Sequence, residues 1–314
     1  MGTMSFLNVP DQRTLGRVAG ALVVDEAFVE KDWFVVQAVR TLMSVGSELF
    51  TPIFSGGTSL LKGYALIKRF SEDIDFKLAL SDAFLTMSLG QRKKALSIFK
   101  NELAIAWKAA GFTNLSVEAG SGNAFIKIEM DYPSVLNGHA SLRPHILAEL
   151  SAKPPRRPPL KRSLSSFIWQ YRGNEPEVPK ILCVDPVETA ADKLSALSWR
   201  ILVRERGSEK DDPTIIRHVY DLAALEPVVA DDELFGALLT ETLVADTDRG
   251  NGAVAHLPPE ERLAAMLDKL GSDPLYRNDY DKFVGGLAFA GAKELPDYLA
   301  ASEALRRLTR ILAT

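Results

Sequence analysis

The sequence contains little cysteine and little histidine, and this scarcity limits the sites it can build. Its 314 residues include one cysteine, Cys183, and four histidines. A single thiol cannot form an internal disulfide, and so few thiol and imidazole groups leave little material for a structural zinc site. This usage is typical of a reducing compartment, so we expect a cytoplasmic protein.

Long apolar runs and an excess of basic residues are also missing. No run approaches the ~18 apolar residues of a membrane helix, and charges begin at Asp11, so we expect neither membrane association nor export. Lysine and arginine number 37 against 41 aspartates and glutamates, a net charge of -4. Bulk charge therefore argues against a protein that coats nucleic acid and leaves room only for a local basic patch.

The remaining composition is that of a globular protein of about two domains. Helical periodicity covers about 11–45, strand and helix patterns alternate over about 51–180, and every periodic segment after Asp185 is helical. We therefore predict an α+β fold with N-terminal helices in 1–50, a mixed-sheet core in 51–182 and a helical domain in 183–314. The basic, proline-rich segment 153–162 is predicted to be an exposed hinge and a candidate for phosphate contacts.

Two aspartates, Asp73 and Asp75, lie in a segment whose polar and apolar residues alternate as in a strand. On a strand, positions i and i+2 point to one face about 6.6 Å apart, so both carboxylates would converge while Ile74 and Phe76 face the core. Two neighbouring carboxylates suit hard cations such as Mg²⁺, bound together with substrate phosphates.

A glycine motif, Gly56-Gly57-Thr58-Ser59, precedes these aspartates at a predicted strand-to-helix turn. Glycines let a backbone approach a polyphosphate closely, and the amides and hydroxyls of such a turn donate hydrogen bonds to phosphate oxygens. Either motif alone is commonly a turn or a solvated strand edge. Together in one unit they predict a metal–nucleotide site.

Several segments resemble the AbiEii/AbiGii toxin family, a branch of the DNA polymerase β-like nucleotidyltransferases. Residues 54–60 and 69–76 resemble the signature of the family, and Lys31-Asp32-Trp33 is similar to its Lys-Asp-aromatic element. Segments 192–200 and 217–222 are similar to its C-terminal pair of motifs. One position departs from the pattern, because His218 follows Arg217 where relatives usually carry aspartate.

The resemblance implies a polymerase β-like mixed sheet and Mg²⁺-dependent transfer of a nucleotide from an NTP. Asp73 and Asp75 would be metal ligands, Thr58 and Ser59 would lie near the triphosphate, and the C-terminal helical domain would close the nucleotide cleft. Several family members act on the 3′ end of tRNA and are neutralised by a separately encoded antitoxin. The expected partners are thus an NTP, an RNA acceptor such as tRNA, and an antitoxin.

The resemblance also implies roles for Lys193, which would face phosphate, and for Asp221, which would orient Lys193 or help to bind the nucleotide. Helix periodicity leaves alternatives for both. Lys193 could belong to a solvated stripe with Arg200 and Arg204, and Asp221 could form a surface ion pair with Arg217.

A third carboxylate is expected on a neighbouring strand, where Glu149 is favoured over Glu129. Arg69 is either a phosphate clamp or a solvent-facing turn residue. Two rival functions remain at this point: a phosphotransferase that attacks the γ-phosphate, and a nucleotide-binding module that has lost turnover.

Overall fold

The computed structural model describes Phe6 and residues 9–136, 138–209, 211–289 and 295–312. The chain divides into two compact units. Unit 1 comprises the described residues of Met1–Ala65 and Phe70–Val184, and unit 2 comprises those of Leu66–Arg69 and Asp185–Thr314.

Unit 1 is built on a mixed sheet of seven strands, which confirms the predicted α+β class. The strand order is β3-β4-β5-β2-β1-β7-β6. The pairs β2/β5 and β1/β7 are parallel, and the other neighbours are antiparallel. The strands are β1 (Phe50–Ser55), β2 (Ile74–Leu80), β3 (Thr113–Gly120), β4 (Phe125–Asp131), β5 (Ile146–Ser151), β6 (Leu160–Leu164) and β7 (Val178–Cys183).

Six α-helices of unit 1 accompany the sheet. They are α1 (Gln12–Leu22), α2 (Glu26–Ser44), α3 (Gly56–Lys62), α4 (Asp82–Leu85), α5 (Leu89–Ala110) and α6 (Phe167–Arg172). Helix α5 buries a stripe with spacings of three and four residues that ends at Trp107, whose indole N–H donates to the Ala38 carbonyl of α2 at 3.0 Å. Helix α2 is buried over most of its length, including Lys31 and Asp32.

The basic segment 153–162 is not a hinge between units. It lies inside unit 1, and its last residues belong to β6, which pairs with β7 at the edge of the sheet. Proline-rich composition led to the wrong prediction because prolines occupy only the first part of the segment and leave Leu160–Leu164 able to form a ladder.

Unit 2 is helical, as predicted for the chain after Asp185. Its α-helices are α7 (Pro186–Val203), α8 (Arg217–Val229), α9 (Phe235–Ala245), α10 (Pro259–Ser272), α11 (Leu275–Leu287) and α12 (Tyr298–Thr309). The side chain of Asp185 accepts from the Val187 amide at 2.8 Å, and Pro186 occupies the first helical position, so this sequence begins α7 in the way its residues favour. None of the described helices is long and apolar enough to cross a membrane.

Candidate active site

Strand β2 presents the two aspartates because its residues alternate between the core and the opposite face. Ile74, Phe76 and Leu78 are buried, whereas Asp75 is only half-buried, as the sequence pattern predicts. Asp73 lies one residue before the strand, and it keeps the same parity as Asp75. The local sequence therefore places both carboxylates at the start of a central strand, on the face away from the β2 core side chains.

The glycine turn lies directly against one of these carboxylates. Ser55, the last residue of β1, pairs with Asp75 across the sheet, and Gly56 follows it with φ of 73°. A Cβ atom placed on Gly56 would lie 1.9 Å from Asp75 Oδ2 and 2.8 Å from its Cγ. Only glycine both adopts this conformation freely and leaves space for the carboxylate, so the two sequence motifs form one structure.

The hydroxyl of Thr58 fixes the start of β2. Its Oγ1 donates to the Asp73 carbonyl at 2.5 Å and lies 3.1 Å from Ser71 Oγ. Thr58 and Ser59 are both buried. The Thr58 hydroxyl thus already has a positioning role within the protein, and contact of Thr58 and Ser59 with a triphosphate stays a prediction.

Strand register places Glu149 beside Asp75. The two residues are partners in the parallel pairing of β2 with β5, and neighbouring strands lie about 4.8 Å apart. Glu129 lies on β4, one strand further from β2, where Lys127 Nζ binds its carboxylate at 2.8 Å. The hydrogen bond from Lys127 also lowers the pKa of Glu129. Glu149, and not Glu129, is therefore the carboxylate residue next to Asp75 in the sheet.

The carboxylates at the start of β2 suit Mg²⁺, which also takes ligands from substrate and water, better than they suit a metal held by protein ligands alone. Among the described residues no group of three or more histidine, cysteine, aspartate or glutamate side chains could hold a metal ion. Mg²⁺ is commonly bound through one or two carboxylates together with substrate phosphates and water. Asp73 and Asp75 carry two carboxylates of the kind that such a site uses, and the missing side chain of Gly56 leaves space for the Asp75 carboxylate.

Lys31 of α2 holds the segment that carries Asp73. Its side chain is fully buried, with Nζ 2.5 Å from Glu72 Oε2, and it donates to the backbone carbonyls of Arg143 and His145. Burial lowers the pKa of Lys31, and the Glu72 carboxylate opposes that shift. Glu72 directly precedes Asp73, so the buried ammonium fixes the backbone on which the first carboxylate depends.

Asp32, the next residue of α2, holds the helix that follows the glycine turn. Its Oδ1 forms an ion pair with Lys62 Nζ at the end of α3, and its Oδ2 accepts from the Phe167 amide at 2.6 Å. Both charges are buried, and burial raises the pKa of Asp32 and lowers that of Lys62. The Lys62 ammonium also lies 3.5 Å from the centroid of the Phe167 ring and donates to the Ser165 carbonyl.

Two adjacent residues of one helix thus hold both halves of the candidate site in unit 1. Sequence reasoning noted Lys31-Asp32 only through a family resemblance and gave it no task. The residue-level signal was present, because three consecutive charged residues, Glu30, Lys31 and Asp32, interrupt the apolar sequence of a helix that begins at Glu26 and ends at Ser44. Charges in such a position are nearly always paired when buried.

In unit 2, Lys193 and Asp221 are in direct contact. Lys193 Nζ donates to Asp221 Oδ2 at 2.7 Å, while Arg69 binds the same carboxylate through Nε and Nη2, both at 2.7 Å. All three side chains are buried. Burial alone would raise the pKa of Asp221, but the charges of Arg69 and Lys193 hold it well below its ordinary value.

These contacts settle the alternatives that helix periodicity left open. Lys193 is not part of a solvated stripe, and Arg204 binds Asp211 and Asp279 at 2.7 and 2.8 Å. Asp221 is not half of a surface ion pair, because it is fully buried between cations. Arg69 does not face solvent either. Its guanidinium already donates twice to Asp221, so a phosphate clamp formed by Arg69 stays a prediction.

His218, where relatives usually carry aspartate, lies one helical turn before Asp221 on α8 and is buried. Burial lowers the pKa of His218 well below its ordinary value, and the nearby Lys193 and Arg217 charges lower it further. Its imidazole is therefore neutral at pH 7. The replacement removes a negative charge from a cationic cluster without adding a positive one.

Comparison with known proteins extends the resemblance. Residues 44–304 match the family described as nucleotidyl transferase AbiEii toxin, type IV TA system, a range that begins after Lys31 and Asp32 but includes most of unit 2. The fold is similar to that of MenT4, a nucleotidyltransferase toxin from Mycobacterium tuberculosis H37Rv. The TM-score is 0.59 with 17% sequence identity, over 95% of this chain and 89% of that chain. No curated protein sequence matches the chain significantly.

The close approach of Gly56 to Asp75 generates a stability prediction. Gly56→Ala forces a side chain into the left-handed region and against the Asp75 carboxylate, so the free energy of unfolding should fall by at least about 1–3 kcal/mol. Gly20→Ala is the control, because Gly20 is an exposed residue of α1 with nothing within 4 Å of an added Cβ. That variant should be unchanged or up to about 1 kcal/mol more stable by urea unfolding. Equal stabilities of the two variants would contradict the contact.

The buried Asp32–Lys62 pair generates a second stability prediction. Asp32→Asn leaves the Lys62 charge without its partner and should cost about 3–5 kcal/mol in equilibrium urea unfolding. Adding Lys62→Met should recover part of that loss, because no unpaired charge then remains buried.

The surface pair of Arg306 and Glu303, at 2.6 Å on α12, provides the comparison. Glu303→Gln should cost no more than about 1 kcal/mol. If Asp32→Asn proved as mild as that surface change, the pair would not hold α3 in place.

Proposed function

The chain belongs to the nucleotidyl transferase AbiEii toxin family of type IV toxin–antitoxin systems, and on that premise we propose a specific reaction. In it, the enzyme moves a nucleoside monophosphate from an NTP to a hydroxyl acceptor with Mg²⁺, and the acceptor is the 3′ end of tRNA. The contact between Gly56 and the Asp75 carboxylate carries the proposal, because it joins a turn suited to polyphosphate with an acidic strand suited to a hard cation.

In the proposed reaction Asp73 and Asp75 would hold Mg²⁺, and Gly56 and Gly57 let the phosphates approach the backbone. The bound metal supplies charge neutralisation for the phosphates. The acceptor oxygen attacks the α-phosphorus, the bond from the α-phosphorus to the bridging oxygen of the β-phosphate breaks, and pyrophosphate leaves. Glu149 receives the proton of the acceptor hydroxyl, and its position next to Asp75 in the sheet supports that role.

The ion cluster of unit 2 supports a second part of the proposal. Lys193 contributes positive charge for the leaving pyrophosphate, and Asp221 fixes its orientation through the 2.7 Å contact. Arg69 shares the same carboxylate, so any contact between Arg69 and nucleotide would use donors not directed at Asp221.

The biological setting is proposed from the family alone. A type IV toxin that modifies tRNA would work in the cytoplasm, and a separately encoded antitoxin would neutralise its effect.

The reaction predicts that neither aspartate can be replaced by its amide. Asp73→Asn and Asp75→Asn keep the size of each side chain but remove the charge that binds Mg²⁺, so transfer of label from α-labelled NTP to total RNA should fall at least about 100-fold. Asp82→Asn is the matched control, since Asp82 is an exposed residue just beyond the other end of β2. The Asp82→Asn control should transfer label at the wild-type rate, and EDTA should abolish transfer by both the wild type and this control.

The position of the label distinguishes the rival functions. Incorporation of the α-phosphate, with label in a species of tRNA size, supports the proposal. Incorporation only from γ-labelled NTP would identify a phosphotransferase, and NTP binding without any labelled product would identify a module without turnover. Either result would overturn nucleotidyl transfer, whereas full activity in both asparagine variants would overturn the assignment of Asp73 and Asp75 as metal ligands.

A further inference from the structure

Unit 1 contains a cavity lined in part by Arg143, whose guanidinium lies near Asp73. Residues of the connection between β4 and β5 line this cavity, which has a volume of about 460 Å³. Its volume falls in the range of small-ligand sites, about 300–1,000 Å³. No carboxylate belongs to its lining among the described residues, which includes a cation and two ring side chains: Tyr132, His139 and Arg143.

Arg143 is fixed in this loop in an unusual way. Its backbone amide donates to both oxygens of Glu72 at 3.2 Å, and its carbonyl accepts from the buried Lys31 ammonium. The side chain nevertheless stays 41% exposed, with Nε 3.7 Å from Asp73 Oδ1. Contacts at both its amide and its carbonyl hold the backbone of Arg143, and its guanidinium therefore stays beside the Asp73 carboxylate. The guanidinium N–H groups that do not face Asp73 can reach a ligand.

A ring of the cavity is fixed as well. His139 packs against Phe28 of α2, with the ring centroids 5.0 Å apart and an interplanar angle of 51°. Burial of Tyr132 in the same wall raises the pKa of its hydroxyl, which therefore stays protonated. Rings that are held in place next to an arginine are the surroundings in which proteins bind an unpaired base and its phosphate.

The strand order places the glycine turn and the cavity on opposite sides of β2. Strand β2 lies between β1 and β5 in the sheet. Gly56 follows the end of β1, whereas Arg143 precedes β5, so the glycine turn and the cavity flank the aspartates from opposite neighbours. Glu149 lies on the β5 side too, paired with Asp75. In phosphoryl transfer the attacking and leaving oxygens are roughly in line on opposite sides of the phosphorus.

From this arrangement we propose that Arg143 and the cavity bind the terminal nucleotide of an RNA acceptor. Arg143 contacts its phosphate, the rings of the β4–β5 connection contact its base, and its 3′ hydroxyl is presented from the Glu149 side. The NTP enters from the Gly56 side. This inference rests on the proposed nucleotidyl transfer and adds to it the place and chemistry of acceptor recognition.

Arg143→Ala separates acceptor binding from nucleotide binding. The substitution keeps the backbone contacts with Glu72 and Lys31, so the loop should retain its position. We expect the KM for a short RNA with a 3′ hydroxyl to rise at least about tenfold, since one charge-assisted contact is lost. The KM for NTP should change less than about twofold. Arg143→Lys should recover only part of the loss, because lysine keeps the charge without the planar fork.

Binding without turnover provides an independent readout. In the Asp75→Asn background, fluorescence anisotropy with the same RNA should show weaker binding when Arg143→Ala is added, with a salt slope reduced by about one. Arg277→Ala in α11 is the matched control, since it removes the same charge from a side chain that is 60% exposed. That control should bind RNA as its parent does.

Each other outcome contradicts a definite part of the account. A raised KM for NTP with an unchanged KM for RNA would assign the cavity to the nucleotide, and equal RNA affinity in the Arg143 and Arg277 variants would show no site at all. Transfer to a protein in place of RNA would also overturn the inference. Wild-type enzyme that transfers to no RNA from any NTP would instead refute the proposed function, so the two failures are distinguishable.

Discussion

The candidate site depends first on two buried ion pairs made by adjacent residues of α2. Lys31 binds Glu72 and Asp32 binds Lys62, with little or no solvent at any of the four charges except Glu72. Such pairs add little net stability compared with an apolar core of the same shape, because desolvation offsets most of the attraction. What the two pairs contribute is a fixed relative position of the elements that carry them. They satisfy buried charges only when the start of β2 and the end of α3 lie in one relative position, and that position brings Gly56 against Asp75.

The same helix links the candidate metal site to the candidate acceptor site. Glu72 contacts Lys31 with one oxygen and the Arg143 amide with both, so one carboxylate joins α2, the residue before Asp73 and the β4–β5 connection. Strand order then assigns different neighbours of β2 to different tasks. A glycine turn lies on the β1 side, and Glu149 with the Arg143 cavity lies on the β5 side. The arrangement suits a displacement in which two substrates meet from opposite sides.

Sequence reasoning succeeded where the determinants are local. Alternation in β2 predicted which face carries the aspartates, and capping residues predicted where α7 begins. It was limited where partners are distant: Asp32 lies far along the chain from Lys62 and Phe167, and nothing in either segment encodes the pairing. Preference for Glu149 over Glu129 could be argued geometrically only once β5 was placed beside β2. The alternative of a surface pair at Asp221 was wrong because local spacing ignores Arg69 and Lys193, which enclose that carboxylate.

The most direct test of the central claim is a crystal structure of the wild-type chain with Mg²⁺ and an NTP analogue that cannot be cleaved between its α- and β-phosphates. We expect metal density between the carboxylates of Asp73 and Asp75, and the phosphates of the analogue beside Gly56. Density for the analogue bound elsewhere, with both carboxylates free of metal, would contradict the claim that the glycine turn and the aspartates form one nucleotide site.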